Sequence, residues 1–565
     1  MNQPNPSTAM ARAVVDELSR GGVDLVVISP GSRSAALAIA ASEHPQLETR
    51  VVLDERSAAF HALGRAKATG FPAAVLSTSG TAPANYFPAI VEADMSLTPL
   101  VVLSADRPVE LRGVGANQTI DQIRLFGEKV RFFTDVEAPG SDANLNESWR
   151  STVSEAVARA LGQGDRPGPV HLNLAFGEPT VPVADDGRTL VSEYPFAIDG
   201  RAAGAPWIDP AIRVPGPADL HLVGSSRGLI IAGEGDYDRG GVMKAAETLG
   251  WPVLATALSG MRGESVVSAY HHVLVDGVPE HLIPETVYVI GAVGPSQRLE
   301  DLIESAVEQR IRVDVWGRRI DPRNNATVVL HAEPVATLMR AATSKAASRW
   351  VDAWMAAEMS VRQAVNQTLD KLAVPTGASI VRSLNDVSWG TLVVASSLPI
   401  REVDAHLIRR GHVIANRGAS GIDGFVSTAL GVASTTPRTL AISGDLSLLH
   451  DSNGFLSEFV DDLVMVVLDN NGGGLFDALP LSAHAPSYER LFVTPHGRDI
   501  EQLARFHDLG FTTVRTPQEA YAASTERLDA GGRHLIRVPI EREADLETWE
   551  SLDDASRSAV SLFQA

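Results

Sequence analysis

Short apolar runs recur along this chain, each parted from the next by a stretch of helical composition, and few architectures tolerate that pattern. DLVVIS, TRVVLD, AAVLST, PLVVLS and PVHLNL punctuate residues 12–180. They are apolar on successive residues, as parallel strands covered on both faces are. Ala-rich helices are predicted between them at 56–68 and 81–94. GLIIAG, PVLAT, TVYVIG and RVDVWG repeat the alternation from about residue 218 to 340. TLVVAS, HVIAN, TLAIS and LVMVVL repeat it again after a helix predicted over 348–372. The expected class is therefore α/β, with three doubly wound, mainly parallel sheets. A chain of 565 residues has room for about three or four domains. The expected divisions are 1–185, a polar Gly/Pro-rich linker at 186–210, a central domain at 211–345 and a last domain at 346–565.

Composition removes several kinds of function. A net charge of −21 makes a nucleic-acid or anionic-membrane partner unexpected. The absence of cysteine excludes disulfides, thiol nucleophiles and Cys-ligated metals. No charged-then-apolar leader opens the chain, and no apolar run approaches the ~20 residues of a membrane span, so a soluble cytoplasmic protein is expected. There is no HExxH, no P-loop and no G-x-S-x-G elbow of the strand-to-helix kind. GEGDYDRGG at 233–241 has the wrong glycine spacing for a nicotinamide site and reads as a turn. The His271-His272 pair reads as packing or surface rather than as metal ligands.

Two motifs carry chemistry near the end of the chain. GDLSLLHDSNGF spans 444–455 and DNNGGGLF spans 469–476, on either side of LVMVVL. Asp445 follows TLAIS and Asn470 follows LVMVVLD, which puts both at carboxyl ends of neighbouring strands, where ligands of such sheets sit. Two hard oxygens, with backbone carbonyls from the following glycines such as Gly472, suit Mg²⁺, an ion bound by few protein groups and commonly with phosphates. A bare carboxylate repels a diphosphate; one holding Mg²⁺ attracts it. Either motif alone would be ordinary turn chemistry. Together they resemble the GDG-to-NN signature of thiamine diphosphate enzymes, with Leu446 at a position usually small. That resemblance places the cofactor against Gly444, Asp445, Leu446, Ser447, Asn470 and Gly472, with Mg²⁺ or Mn²⁺ on Asp445, Asn470 and Gly472.

By position Glu55, in DERSAAF, is a favourable charge at a helix start, worth ~0.3–1 kcal/mol. The resemblance gives it a second role. Thiamine chemistry uses one carboxyl group against the pyrimidine nitrogen, and the superfamily carries it on the N-terminal unit, where Glu55 lies. It also implies that the two units facing one cofactor come from different subunits, hence a homodimer or a dimer of dimers.

Further loops narrow the family. SPGSRS (29–34), TSGTA (78–82), SADRP (104–108) and GANQT (115–119) follow strands of the first segment; SSLPIR (396–401) and NRGASGIDG (416–424) lie in the third. They set Arg33, Arg107, Arg401 and Arg417 near strand ends of an acidic protein, and arginine grips carboxylates bidentately. SPGSRSAALA, DERSAAFHALG, NRGASGIDG and GDLSLLHD…NNGGGLF, in order from residue 29 to 476, resemble the 2-succinyl-5-enolpyruvyl-6-hydroxy-3-cyclohexene-1-carboxylate synthases of menaquinone biosynthesis. The resemblance implies a transferase that decarboxylates 2-oxoglutarate and adds the succinyl carbanion to isochorismate. It implies substrate contacts at Ser32, Arg33, Arg107, Asn117, Gln118, Arg298, Ser397, Arg401 and Arg417, of which Arg33, Gln118, Arg401 and Arg417 join Glu55 in catalysis. Leu475, Phe476 and Leu479 match an apolar wall, Ile422 the residue that bends the cofactor, and Leu398 joins Ser397 among the cofactor contacts. Gln297 stands where the family has a cation. Two other readings stay open: a different thiamine-dependent 2-oxoacid decarboxylase or carboligase, and a silent binding protein that kept the fold.

Overall fold

The computed structural model describes residues 6–138, 145–180, 200–210, 214–223, 225–294, 296–342, 345–346, 348–457, 461–483 and 487–561. Most of the linker expected at 186–210 falls on 181–199, outside the described residues.

Three wholly parallel sheets form from the apolar runs. The first has the order β2-β1-β3-β4-β6-β5, from β1 (Leu25–Ile28), β2 (Glu48–Val51), β3 (Ala73–Ser77), β4 (Leu100–Asp106), β5 (Phe133–Val136) and β6 (Pro169–Ala175). The second has the order β11-β10-β9-β7-β8, from β7 (Gly228–Ala232), β8 (Val253–Ala255), β9 (Thr286–Ile290), β10 (Gln309–Asp314) and β11 (Val328–His331). The third repeats the winding of the first, β13-β12-β14-β15-β17-β16, from β12 (Thr391–Val394), β13 (His412–Ala415), β14 (Thr439–Gly444), β15 (Leu463–Asp469), β16 (Gly510–Thr513) and β17 (Arg533–Pro539).

The runs are apolar throughout because each strand feeds two cores. Val26, Ile28, Leu76, Val101 and Leu103 pack with Met10, Val14 and Trp149, from helices Pro6–Arg20 and Leu145–Ala160. The alternate residues Leu25, Val27, Val75, Leu100 and Val102 pack with Phe60, Leu63 and Ile90, from helices Glu55–Thr69 and Phe87–Ser96. Each such side chain contributes about 1.5–3 kcal/mol by burial, so the pattern admits no polar alternation. The helix expected over 81–94 is instead two, Thr81–Ala84 and Phe87–Ser96, because Pro88 lacks an amide hydrogen and opens a new helix at its first turn.

The chain forms two compact units. One comprises Met1–Arg213, Asn416–Pro437 and Ser447–Asp461, and holds the first sheet; the other comprises Val214–Ala415, Arg438–Leu446 and Asp462–Ala565, and holds the second and third.

In the first unit, helix Glu55–Thr69 lies directly on helix Phe425–Ala433. Glycine makes that approach feasible on both sides. A Cβ at Gly64 would stand 2.1 Å from the Thr428 carbonyl oxygen, and one at Gly431 would stand 2.0 Å from that of His61.

Candidate active site

In the second unit the strand order of the third sheet reverses between β12 and β14, and a crevice at their carboxyl ends is the expected ligand position. The register pairs Gly444 of β14 with Leu468 of β15, so Asp445 falls level with Asp469, and Asn470 lies one residue further on. Asp445 opens helix Asp445–His450 and is 1 % exposed. Its carboxylate accepts from the amides of Leu446 (2.6 Å) and Gly472 (2.8 Å) and lies 3.1 Å from His496 Nε2. Burial raises its pKa, while the His496, Gly472 and Leu446 bonds oppose the rise. Gly472 has φ +142, and a Cβ there would meet the Val493 carbonyl oxygen at 2.3 Å, so only glycine fits this turn. Gly444 closes β14 and Ser447 is buried in the following helix.

Asn470, Arg298, Arg401, Leu398, Leu475 and Leu479 line a cavity of about 330 Å³ in the same unit. Phe476, expected beside them, packs edge-on to Phe492 at 6.0 Å and is not among the lining residues. Ser397, with φ +73, starts helix Leu398–His406, and its carbonyl accepts from Arg401 Nη1 at 2.6 Å. Arg298 gives both Nη atoms to Asp553 (3.2 and 2.7 Å). Gln297 Oε1 instead accepts from Arg323. His271 also faces the cavity, but burial, then His272 and Arg298, lower its pKa well below the usual value, so it adds no charge. Asp545 at the same wall is pushed up to about 6 by burial.

In the first unit Glu55 begins its helix at the end of β2, half-buried. Capping falls to its neighbour: Asp54 accepts from the amides of Arg56 (2.9 Å) and Ser57 (3.4 Å). Asp451 pins the same helix start to helix Phe425–Ala433, accepting from Ser57 Oγ (3.2 Å) and the Ser427 amide (2.8 Å). The turn after β3 gathers three expected residues. Ser79 accepts from Arg107 (2.9 Å), Arg107 also reaches the Asn117 carbonyl (3.0 Å), and Gln118 Nε2 bonds the Ser79 carbonyl (3.1 Å). Arg33 Nη1 holds the Phe176 carbonyl at 2.8 Å. Burial, and after it the Arg33 charge, lower the pKa of Arg107, so the two guanidinium groups share one electrostatic neighbourhood. Ser32 is exposed next to Arg33. The turn bearing Arg417 is fixed by Glu92, 2 % exposed, which accepts from the amides of Gly418 (3.0 Å) and Ala419 (2.6 Å) and from Lys67 (2.8 Å). Ile422, half-buried, follows on the same stretch.

Residues 8–125 match the family described as "Thiamine pyrophosphate enzyme, N-terminal TPP binding domain", and residues 205–390 match "Middle domain of thiamine pyrophosphate". The 2-succinyl-5-enolpyruvyl-6-hydroxy-3-cyclohexene-1-carboxylate synthase of Thermobifida fusca (strain YX) is 41% identical over 571 residues, covering 98% of this chain and 100% of that protein. The chain belongs to the 2-succinyl-5-enolpyruvyl-6-hydroxy-3-cyclohexene-1-carboxylate synthase family. The like-named proteins of Halobacterium salinarum (strain ATCC 29341 / DSM 671 / R1) and Chloroflexus aurantiacus (strain ATCC 29366 / DSM 635 / J-10-fl) are each 39% identical, covering 98% and 95% of the chain and 99% and 94% of their own lengths.

As a member of the synthase family the chain uses thiamine diphosphate, and one cluster of side chains has the donors that could hold a divalent cation. Ligand atoms of Asp445, Asp469 and His496 lie within 4.8 Å of one another. Asp469 and His496 escaped sequence reading for different reasons. Asp469 is the last residue of a strand and reads as its end; His496 sits in TPHGRD, a stretch without a motif. Two carboxylates and an amide form a hard donor set suited to Mg²⁺ or Mn²⁺, and the His496 imidazole is the softer donor beside them. Arg537 bonds the far side of Asp469 at 2.6 Å, which leaves Asp445 as the carboxylate without an arginine partner among the described residues.

Proposed function

We propose that this protein decarboxylates 2-oxoglutarate and joins the remaining four-carbon unit to isochorismate by conjugate addition, giving 2-succinyl-5-enolpyruvyl-6-hydroxy-3-cyclohexene-1-carboxylate for menaquinone biosynthesis. One observation carries the choice of substrates. Arginines gather at both groups of loops, Arg33 and Arg107 in one unit and Arg298 and Arg401 around the cavity of the other, and each substrate has two carboxylates.

When bound, thiamine diphosphate supplies a nucleophilic carbon and an electron sink for loss of CO₂. The chain's own groups hold and orient. Asp445, Asn470 and the Gly472 carbonyl would hold Mg²⁺ or Mn²⁺, with Gly444, Leu446 and Ser447 beside the diphosphate. Glu55 would exchange a proton with the pyrimidine nitrogen, and Ile422 would support the bent cofactor. Ser32, Asn117, Gln118 and Ser397 offer hydrogen bonds to substrate oxygens, and Arg417 adds a cation. Leu398, Leu475 and Leu479 would exclude water, which strengthens each of these polar contacts. The same reading takes the functional divisions at 1–185, 211–345 and 346–565, a cytoplasmic homodimer or dimer of dimers, and no nucleic-acid or membrane partner.

Mixing the protein with thiamine diphosphate, Mg²⁺, 2-oxoglutarate and isochorismate should consume isochorismate, and a chelator should stop it. Efficient decarboxylation of pyruvate with 2-oxoglutarate untouched would identify a carboligase of small apolar acyl groups instead.

A further inference from the structure

We infer that Arg542, on the wall of the cavity in the second unit, is a specificity-determining contact for a ligand's remote carboxylate. The inference rests on the proposed reaction for the ligand's identity and on the cavity for its placement.

Among the described residues three arginines line this cavity, Arg298, Arg401 and Arg542. Two are anchored by the protein. Arg298 is forked onto Asp553 and also bonds the His271 carbonyl at 2.8 Å, and Arg401 bonds the Ser397 carbonyl. Arg542 pairs with two acids, one open to water and one shared with a tyrosine. Its Nη2 reaches Glu489 at 2.9 Å, but the Glu489 side chain is 53 % exposed, and such pairs with water at hand are weak and readily exchanged. Its Nη1 is enclosed and makes no hydrogen bond among the described residues. The nearest carboxylate oxygen to Nη1, Asp477 Oδ1 at 3.5 Å, already accepts from the Tyr488 hydroxyl at 2.6 Å. An enclosed cationic N–H whose one acid neighbour is long and already engaged is incompletely satisfied, and a ligand carboxylate would complete its bonding.

The acids at the cavity do not discharge these arginines. Asp404 is engaged by Arg262 at 3.0 Å and by the Ala257 amide at 2.9 Å, and Asp545 accepts from the Gly377 amide at 2.7 Å. Arg542 and Asn470 both approach Gly474: a Cβ there would stand 2.4 Å from Asn470 Nδ2 and 3.7 Å from Arg542 Cγ. Between the polar groups the lining is apolar, Leu398, Leu475 and Leu546. That alternation suits an acid with methylenes between its two carboxylates. Neither Glu541-Arg542 nor its surroundings form a motif, so nothing in the local sequence marks the residue.

The test uses the holoenzyme with two inert acids, glutarate and pentanoate, and two reactive ones, 2-oxoglutarate and 2-oxopentanoate. Calorimetry on Arg542→Ala should show glutarate weakened roughly 10- to 100-fold, the loss expected for one charge-assisted contact, with pentanoate and thiamine diphosphate binding unchanged. KM should rise by a similar factor for 2-oxoglutarate alone. Arg542→Gln, which keeps the stem, gives the same readout should the alanine variant fail to fold. Equal weakening of both acids, no change in either, or a loss of thiamine diphosphate affinity instead would overturn the inference; the last would make Arg542 a diphosphate contact. A wild-type protein that prefers glutarate through Arg542 yet leaves 2-oxoglutarate unconverted would refute the proposed reaction alone. Turnover of 2-oxoglutarate with an indifferent Arg542→Ala would refute this inference alone.

Discussion

Gly64→Ala should destabilise the protein although it adds a better helix former. In an open helix the exchange gains about 1 kcal/mol. Here the new methyl would stand 2.1 Å from the Thr428 carbonyl oxygen, and a backbone oxygen cannot rotate away. Ordinary spacing requires the two helices to part by roughly 1 Å or more. Overpacking of this kind costs about 1–3 kcal/mol, and a rigid neighbour favours the upper end. The net expectation is a loss of about 2 kcal/mol after the propensity gain. Function should suffer as well, since the displaced helix begins at Glu55, and ~1 Å at a reacting group can cost about 100-fold in rate. Thermal unfolding and turnover at saturating cofactor measure the two effects. Gly240→Ala is the control: that glycine is exposed in helix Arg239–Leu249, and its Cβ would meet nothing closer than an Asp238 oxygen at 3.4 Å. It should be neutral or slightly stabilising. A Gly64→Ala protein that melts higher than wild type and turns over normally would mean that the two helices part at no cost.

Glu55→Gln should bind thiamine diphosphate normally and lose about 10²–10⁴-fold in turnover, the span expected on removal of a proton-transfer group; calorimetry beside steady-state kinetics checks it, and near-normal turnover would remove Glu55 from its role. Asp451 has its pKa pushed up to about 6, chiefly by burial, against the ordinary 3.8. Its stabilising contribution is therefore complete below about pH 4 and is lost as pH rises through 6. Asp451→Asn should flatten the melting temperature across pH 4–7 and raise it at pH 7 and above relative to wild type; an unchanged profile would count against a buried, proton-holding carboxyl.

The sheets were readable where strands are buried on both faces, since DLVVIS, AAVLST and LVMVVL leave no other use for unbroken apolar residues. What escaped lies at the margins. β5, β11 and β16 are edge strands with half-exposed side chains, so their apolar signal is diluted. β17 lies inside its sheet, but its run is broken by Arg537, whose partner Asp469 is distant in sequence. The same physics separates the visible from the hidden in the site. Asp445, Asn470 and the loop arginines stand in motifs, because a strand end and a glycine turn leave a local trace. Arg542, His496, Glu92 and Asp451 take their significance from neighbours tens to hundreds of residues away, and no spacing announces that.

The helix that starts at Glu55 is braced by segments translated far later. Arg56 bonds the His450 carbonyl, Asn453 bonds Asp54, and Gly64 needs Thr428 opposite it. Nascent chain emerging from a ribosome therefore cannot complete this unit until about 460 residues have been made. Until then the face that Gly64 and Phe60 present lacks its cover, an invitation to chaperones and to premature association, and a fragment cut at Arg213 would inherit the same exposed seam.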